Sequence, residues 1–179
     1  MLSITPLKQI MQMRKSVRKY NAETKIPREI IMQLLQDATS APSSSNMQPW
    51  RFLVIDDKEI QKNINFFSFN QEQIETASAI IAVIGDIEMY VNAGSAPTKT
   101  LENIVHFDAG LVSMQIMLLA KEMGYDTVPM GGFDKAKFAE YMELPANEIP
   151  ILLLAIGEAA APAYGSSRLP IDRIVRFNK

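Results

Sequence analysis

Two short stretches carry residue types whose spacing could do chemistry. In Arg14-Lys15-Ser16-Val17-Arg18, two guanidinium groups and a hydroxyl stand at alternate positions, with Lys15 between them. In residues 41–52, APSSSNMQPWRF, two prolines bound a run of short polar side chains, with an amide on each side of Met47 and the chain's only tryptophan. Arginine and serine suit a phosphate, because the planar guanidinium fork gives bidentate, charge-assisted hydrogen bonds. Amides offer donors and an acceptor to the edge of a heterocycle. Together the two stretches describe a site for a flat, polar, phosphorylated ligand.

Backbone conformation decides whether the first stretch can act as one unit. On a helix, at about 100° per residue, Arg14 and Arg18 share a face while Ser16 points roughly 200° away. In extended chain the period is 2 and all three line one side. Only the extended form delivers them to one anion, and it is the form expected; the alternative is a solvated basic helix end. None of the eight glycines makes GxGxxG or a P-loop, so side chains must hold any phosphate.

Flavin mononucleotide (FMN) fits this description. Its ring edge presents carbonyls and an N–H, and its ribityl chain presents hydroxyls, matching Ser43, Ser44, Asn46 and Gln48 behind the rigid Pro42. An ordinary surface loop explains any one of these serines equally well. Val128-Pro129-Met130-Gly131-Gly132-Phe133 is a third candidate, since adjacent glycines let backbone approach a planar ligand. The plainer reading is a turn between a strand and a helix starting near Asp134.

Composition removes other chemistries. There is no cysteine, which excludes disulfides, thiolate nucleophiles and iron–sulfur ligation, and the single histidine, His106, rules out a histidine metal cluster within one chain. A net charge of −2 argues against a nucleic-acid or membrane-surface binder. The charge is uneven: residues 1–20 carry five basic residues and no acid, and the C-terminal tail adds Arg168, Arg173, Arg176 and Lys179. If these two ends met, they would form a small anion site. No secretory pattern opens the chain and no uninterrupted apolar run reaches a bilayer's span, so a cytoplasmic protein is the expectation.

The elements that must position these residues are readable from periodicity. Residues 4–13 read as an amphipathic helix with Ile4, Leu7, Ile10 and Met11 on one stripe. Pro27 opens a second helix, in which Ile30, Ile31, Leu34, Leu35 and Ala38 recur until Ala41-Pro42. Residues 52–55 read as a strand. The continuous apolar runs 79–84 and 149–156 read as strands covered on both faces. Asp108 is expected to cap a helix ending at Gly124 that is apolar nearly all round and therefore buried on several sides or against a partner chain. The alternating tail after Pro170 reads as a strand. A single α+β domain over residues 1–179 follows, with helices on both faces of a central sheet.

The motifs in this order, Arg14-x-Ser16-x-Arg18, the 41–52 loop, Phe69-Asn70, Pro129-Met130-Gly131-Gly132-Phe133 and Ser167-Arg168, resemble the nitroreductase family. The resemblance runs from about residue 8 to about residue 177. It implies a sandwich around a mostly antiparallel sheet, a homodimer, and FMN at the subunit interface. Carried over by position, Arg14, Ser16 and Arg168 would hold the phosphate, with Lys15 and Arg18 nearby. Pro42, Ser43, Ser44, Asn46 and Gln48 would contact flavin and ribityl, generally from the partner subunit. Asn70 would meet the pyrimidine edge with Gln73 close by, and the backbone of Pro129, Met130, Gly131 and Gly132 would face flavin N5.

The implied activity is ping-pong transfer of hydride from NADH or NADPH through flavin N5 to a nitroaromatic, a quinone or a similar small acceptor, with no catalytic side chain. A non-catalytic flavin-binding protein, an FMN reservoir or redox sensor, shares every binding motif and is the alternative. Two positions depart from the family pattern. Gln73 and Ser166 stand where lysines are common, which leaves less positive charge around the flavin and its phosphate.

Overall fold

The computed structural model describes residues 5–94 and 99–178. Its sheet has four strands, β1 (Trp50–Ile55), β2 (Ala79–Asp86), β3 (Asp126–Met130) and β4 (Glu148–Gly157), in the order β1-β2-β4-β3, and each neighbouring pair is antiparallel. The two apolar runs are the central strands. They lack alternation because both faces are covered: Ile81, Val83, Leu154 and Ile156 enter one core, while Ile80, Ala82, Leu153 and Ala155 enter the other. This is the α+β architecture expected from the sequence.

Helices form the outer layers. On one face, α2 (Arg28–Ala38) and α6 (Lys99–Glu122) bury Ile31, Leu34, Leu35, Val112 and Ile116. On the other, α3 (Lys58–Asn65), α4 (Gln71–Thr76) and α7 (Lys135–Tyr141) contribute Ile64, Ile74 and Phe138. Asp57 and Asp134 cap α3 and α7 through side-chain bonds to backbone N–H groups. The short α5 (Glu88–Asn92) follows β2. Gly85 lets α6 approach the end of β2, because a Cβ there would stand 2.2 Å from Val105 Cγ1.

Three expectations are corrected. The long helix starts at Lys99, so Asp108 is interior and caps nothing; Leu101, Ile104 and Val105 already repeat at helical spacing ahead of it. The same helix is long and apolar enough to cross a bilayer, with mean hydropathy 1.3 over its best window, although no uninterrupted apolar run suggested it. Its inner face is buried against the sheet, 39% of that window in all, while Phe107 and Met114 remain exposed. The tail after Pro170 forms a 3-10 turn, Ile171–Arg173, in irregular exposed chain that pairs with neither edge of its own sheet. The first helix, α1 (Pro6–Met13), forms as expected, and its apolar Leu7 and Met11 are exposed. Ile4, Lys179 and part of the segment between Ile84 and Asp108 lie outside the described residues.

Candidate functional site

The basic strip leaves α1 in extended form. Arg14 closes the helix, Ser16 forms a parallel bridge with Thr127, and the Val17 N–H donates to the Thr127 carbonyl at 3.1 Å. The strip therefore covers the outer edge of β3. Val17 is buried in the core while Ser16 and Arg18 are not, the period-2 placement that sets Arg14, Ser16 and Arg18 on one side. Lys15 is half-buried. Arg14 Nε is buried without a hydrogen-bond partner. A buried guanidinium N–H without an acceptor is unfavourable, and an anion would relieve it.

Further along the same edge, β3 ends in the glycine turn. Pro129 is tolerated because β3 is an edge strand and the proline needs no ladder donor. Met130 turns its side chain into the core, so only its backbone can face a ligand. Neither Gly131 nor Gly132 has positive φ. A Cβ on Gly131 would meet nothing within 4 Å, and one on Gly132 would make only ordinary contact with Phe69 and Asn70. Among the described residues nothing crowds a Cβ at either position, so the turn presents open backbone to solvent. Asn70 is locked to this turn, its Nδ2 donating to the Gly132 carbonyl at 3.1 Å and to Ser68 Oγ at 3.3 Å. Gln73 is half-buried three residues on, on α4.

The polar loop lies at the other edge, ahead of β1. Ser45, Asn46 and Gln48 all have left-handed backbone, with φ of 51°, 56° and 50°. Asparagine tolerates this region; serine and glutamine do so at roughly 1–3 kcal/mol each. Several bonds offset that strain. Gln48 N–H donates to Ser43 Oγ at 2.9 Å, and Gln48 Nε2 donates to the Asn46 carbonyl at 3.0 Å. Ser44 N–H reaches both carboxylate oxygens of Asp108, at 3.2 and 3.1 Å, and Tyr90 O–H donates to the same carboxylate at 2.6 Å. Burial, then the Asp108 bond and charge, push the Tyr90 hydroxyl well above its usual range. Pro42, Ser44, Asn46 and Gln48 remain exposed, and a groove of about 730 Å³ runs beside them, lined by Asn103, Phe107 and Leu111.

The expected site is therefore divided. Arg14, Lys15, Ser16, Arg18, Asn70 and Gly131-Gly132 gather along β3, whereas Pro42, Ser43, Ser44, Asn46 and Gln48 sit before β1. Three interstrand spacings, roughly 14 Å, separate the two edges. No described hydrogen bond or ion pair joins the two groups. Arg168 is exposed, and its bonds go to Ser166 and Ser167. His106 is exposed on α6 with Nδ1 against the Glu102 carbonyl at 2.7 Å. The sequence reading missed Asp108 and Tyr90 as supports of the loop; an aspartate inside an apolar helix was the available signal.

Comparison with known proteins gives the family. The family model described as the nitroreductase family matches residues 11–158. The chain belongs to the nitroreductase family. Among relatives, it is 40% identical to YdgI of Bacillus subtilis, provisionally named an NAD(P)H nitroreductase, over 99% of this chain and all of that protein. Among solved structures, a nitroreductase from Exiguobacterium sibiricum in complex with FMN is 38% identical with a TM-score of 0.90, covering 99% of both chains. An NAD(P)H:FMN oxidoreductase from Staphylococcus epidermidis, also a provisional name, is 33% identical with a TM-score of 0.92, over 99% of this chain and 98% of that one. Family membership carries the coarse activity, a flavin-dependent NAD(P)H oxidoreductase. The residues fit FMN: an unpartnered buried guanidinium N–H for phosphate, open backbone at Gly131, and an anchored amide at Asn70.

Proposed function

We infer that this protein, with residues 1–179 acting as one unit, is a homodimeric FMN enzyme that reduces nitroaromatics, quinones or similar small acceptors with NADH or NADPH in a ping-pong cycle. Bound FMN supplies the redox chemistry, accepting hydride at N5 and returning the electrons to the acceptor. The chain's own part is binding and orientation. Arg14 and Ser16 hold the phosphate, with Lys15, Arg18 and the tail's Arg168 adding positive charge. Asn70 and Gln73 meet the ring's pyrimidine edge. Pro129, Met130, Gly131 and Gly132 offer backbone alone, free of side chains on the approach. No titratable side chain is asked to move a proton.

The observation that carries this reading is the buried, unpartnered Nε of Arg14 on the strip that covers β3. About four strand residues, roughly 13 Å, separate the Thr127 bridge from Gly131, which gives a phosphate end and a ring end on one edge. The polar loop occupies the opposite edge, so one ligand draws on both groups only if a second copy supplies the loop. Exposed apolar side chains on α1 and α6, among them Leu7, Met11, Phe107 and Met114, support such pairing. A cytoplasmic setting is supported by the lack of a secretory pattern in this sequence and by a reaction that draws on NADH or NADPH.

The test is anaerobic addition of NADH or NADPH to the FMN-loaded protein, followed by a quinone or a nitroaromatic. Bleaching of the flavin and recovery of its colour on adding acceptor are expected. A flavin that binds tightly yet resists both nicotinamides would instead identify a reservoir or sensor.

A further inference from the structure

Asp108 stands in the middle of α6, 1% exposed, with Val105, Ala109 and Val112 as helical neighbours. None of the described ion pairs includes it. A carboxylate is unfavourable in such a place unless hydrogen bonds replace its water. The described replacements come from two segments outside α6: Ser44 N–H from the polar loop, bridging both oxygens, and Tyr90 O–H from α5. The Ser44 carbonyl accepts from the Met47 N–H at 3.0 Å, so both backbone polar groups of Ser44 are engaged. An apolar residue at position 108 would serve helix packing better, and the carboxylate is therefore to be understood through what it holds.

We propose that Asp108 is the positioning residue for the flavin loop, fixing the course of residues 43–48, left-handed at Ser45, Asn46 and Gln48, and, through Tyr90, making the loop's position depend on α5. Ser44 is the first residue of the loop's 3-10 turn, immediately before Ser45, where φ turns positive. Anchoring its N–H fixes the residue that precedes the strained stretch, and the exposed polar side chains beyond it follow. The link to α5 has a consequence for specificity, because α5 belongs to the segment between β2 and α6. A change in that segment reaches the cofactor loop through the Tyr90 hydroxyl and through Met47, which packs against the apolar cluster around Tyr90.

The inference rests on the loop's role in flavin binding, and the experiment separates the two. FMN and riboflavin are titrated against wild type, Asp108→Asn and Tyr90→Phe, and flavin reduction by NAD(P)H is followed at saturating flavin. Loss of one hydrogen bond to a buried charge is expected to weaken binding by about 10-fold or more in Asp108→Asn. Because the loop meets ring and ribityl rather than phosphate, FMN and riboflavin should weaken by the same factor. Tyr90→Phe should give a smaller loss of the same kind, and the double variant should lose less than the product of the two. Both variants should slow reduction and change the bound flavin's visible circular dichroism, which general loss of stability would leave unaltered in the flavin-loaded fraction. If Asp108→Asn fails to fold, Tyr90→Phe decides. Wild-type flavin affinity, dichroism and reduction rate in a folded Tyr90→Phe, or a loss confined to FMN, overturns the proposal. A wild type that binds no flavin overturns the functional reading instead.

Discussion

Asn70 and Gly132 are joined by a 3.1 Å hydrogen bond from the side-chain amide to the backbone carbonyl, and the Phe69 N–H donates to the same oxygen at 3.0 Å. The bond makes one rigid unit of two segments 62 residues apart in the chain. It commits the Asn70 Nδ2 to the turn and leaves its Oδ1 for a ligand. It also holds Gly131, whose backbone has open space before it.

Substitutions at this unit should act on rate more than on folding. Gly131→Val avoids positive φ and its Cβ would meet nothing within 4 Å, so its thermal midpoint should stay near wild type. A displacement of about 1 Å at a reacting centre can cost roughly 100-fold, and flavin reduction by NAD(P)H should slow to that degree or FMN be expelled. Exposed His106→Ala should remain within a few-fold of wild type. Stopped-flow flavin reduction checks both; abolition in His106→Ala with a silent Gly131→Val would return the histidine to the chemistry.

Arg14→Ala should weaken FMN by roughly 10- to 100-fold, the loss of one charge-assisted bond, while leaving riboflavin nearly unchanged. Arg168→Ala should show the same phosphate-selective loss. An unchanged FMN affinity in Arg168→Ala would remove the tail from the site and leave Arg14 as its anchor. Isothermal titration with the two flavins makes the comparison.

The division of the site between two sheet edges predicts that dimerisation and flavin binding fail together. Phe107 is 68% exposed on α6 beside the groove next to the polar loop. Phe107→Glu should yield a folded monomer that has lost FMN, seen by sedimentation velocity with absorbance in the flavin band. A flavin-loaded monomer would mean that one chain completes the site.

Stability should fall at alkaline pH. Burial raises the Tyr20 hydroxyl far above its ordinary value, with the Asp126 charge adding to the effect, and burial and Asp108 raise Tyr90. The folded state binds these protons more tightly than the unfolded chain does. Their contribution is therefore complete below the unfolded value of about 10 and is lost as pH rises above it. Urea midpoints should be level through pH 9 and decline beyond about 10, with a shallower decline in Tyr90→Phe. An equal decline in that variant would assign the effect to other groups.

What the sequence determined by itself was local. Ile80 to Ile84 and Ile151 to Ile156 specify covered strands because a run without polar interruption has no wet face to offer. The alternate Arg14, Ser16 and Arg18 require extended chain to act together, and that is how they are found. Asp108, Tyr90 and the tail could not be read in this way. The carboxylate meets Ser44 across 64 residues and Tyr90 across 18, and a helix-capping role suits the same aspartate when its partners are unknown. The tail's Ile171, Val175 and Phe177 alternate as a strand would, yet alternation makes a strand only where a sheet edge is free to pair. The strip at Ser16 covers the edge at β3, and the tail does not pair with the other edge, β1, of its own chain. The placement of Ser43–Gln48 and Gly131-Gly132 at opposite edges likewise followed from strand order, which depends on long-range pairing that local periodicity does not encode.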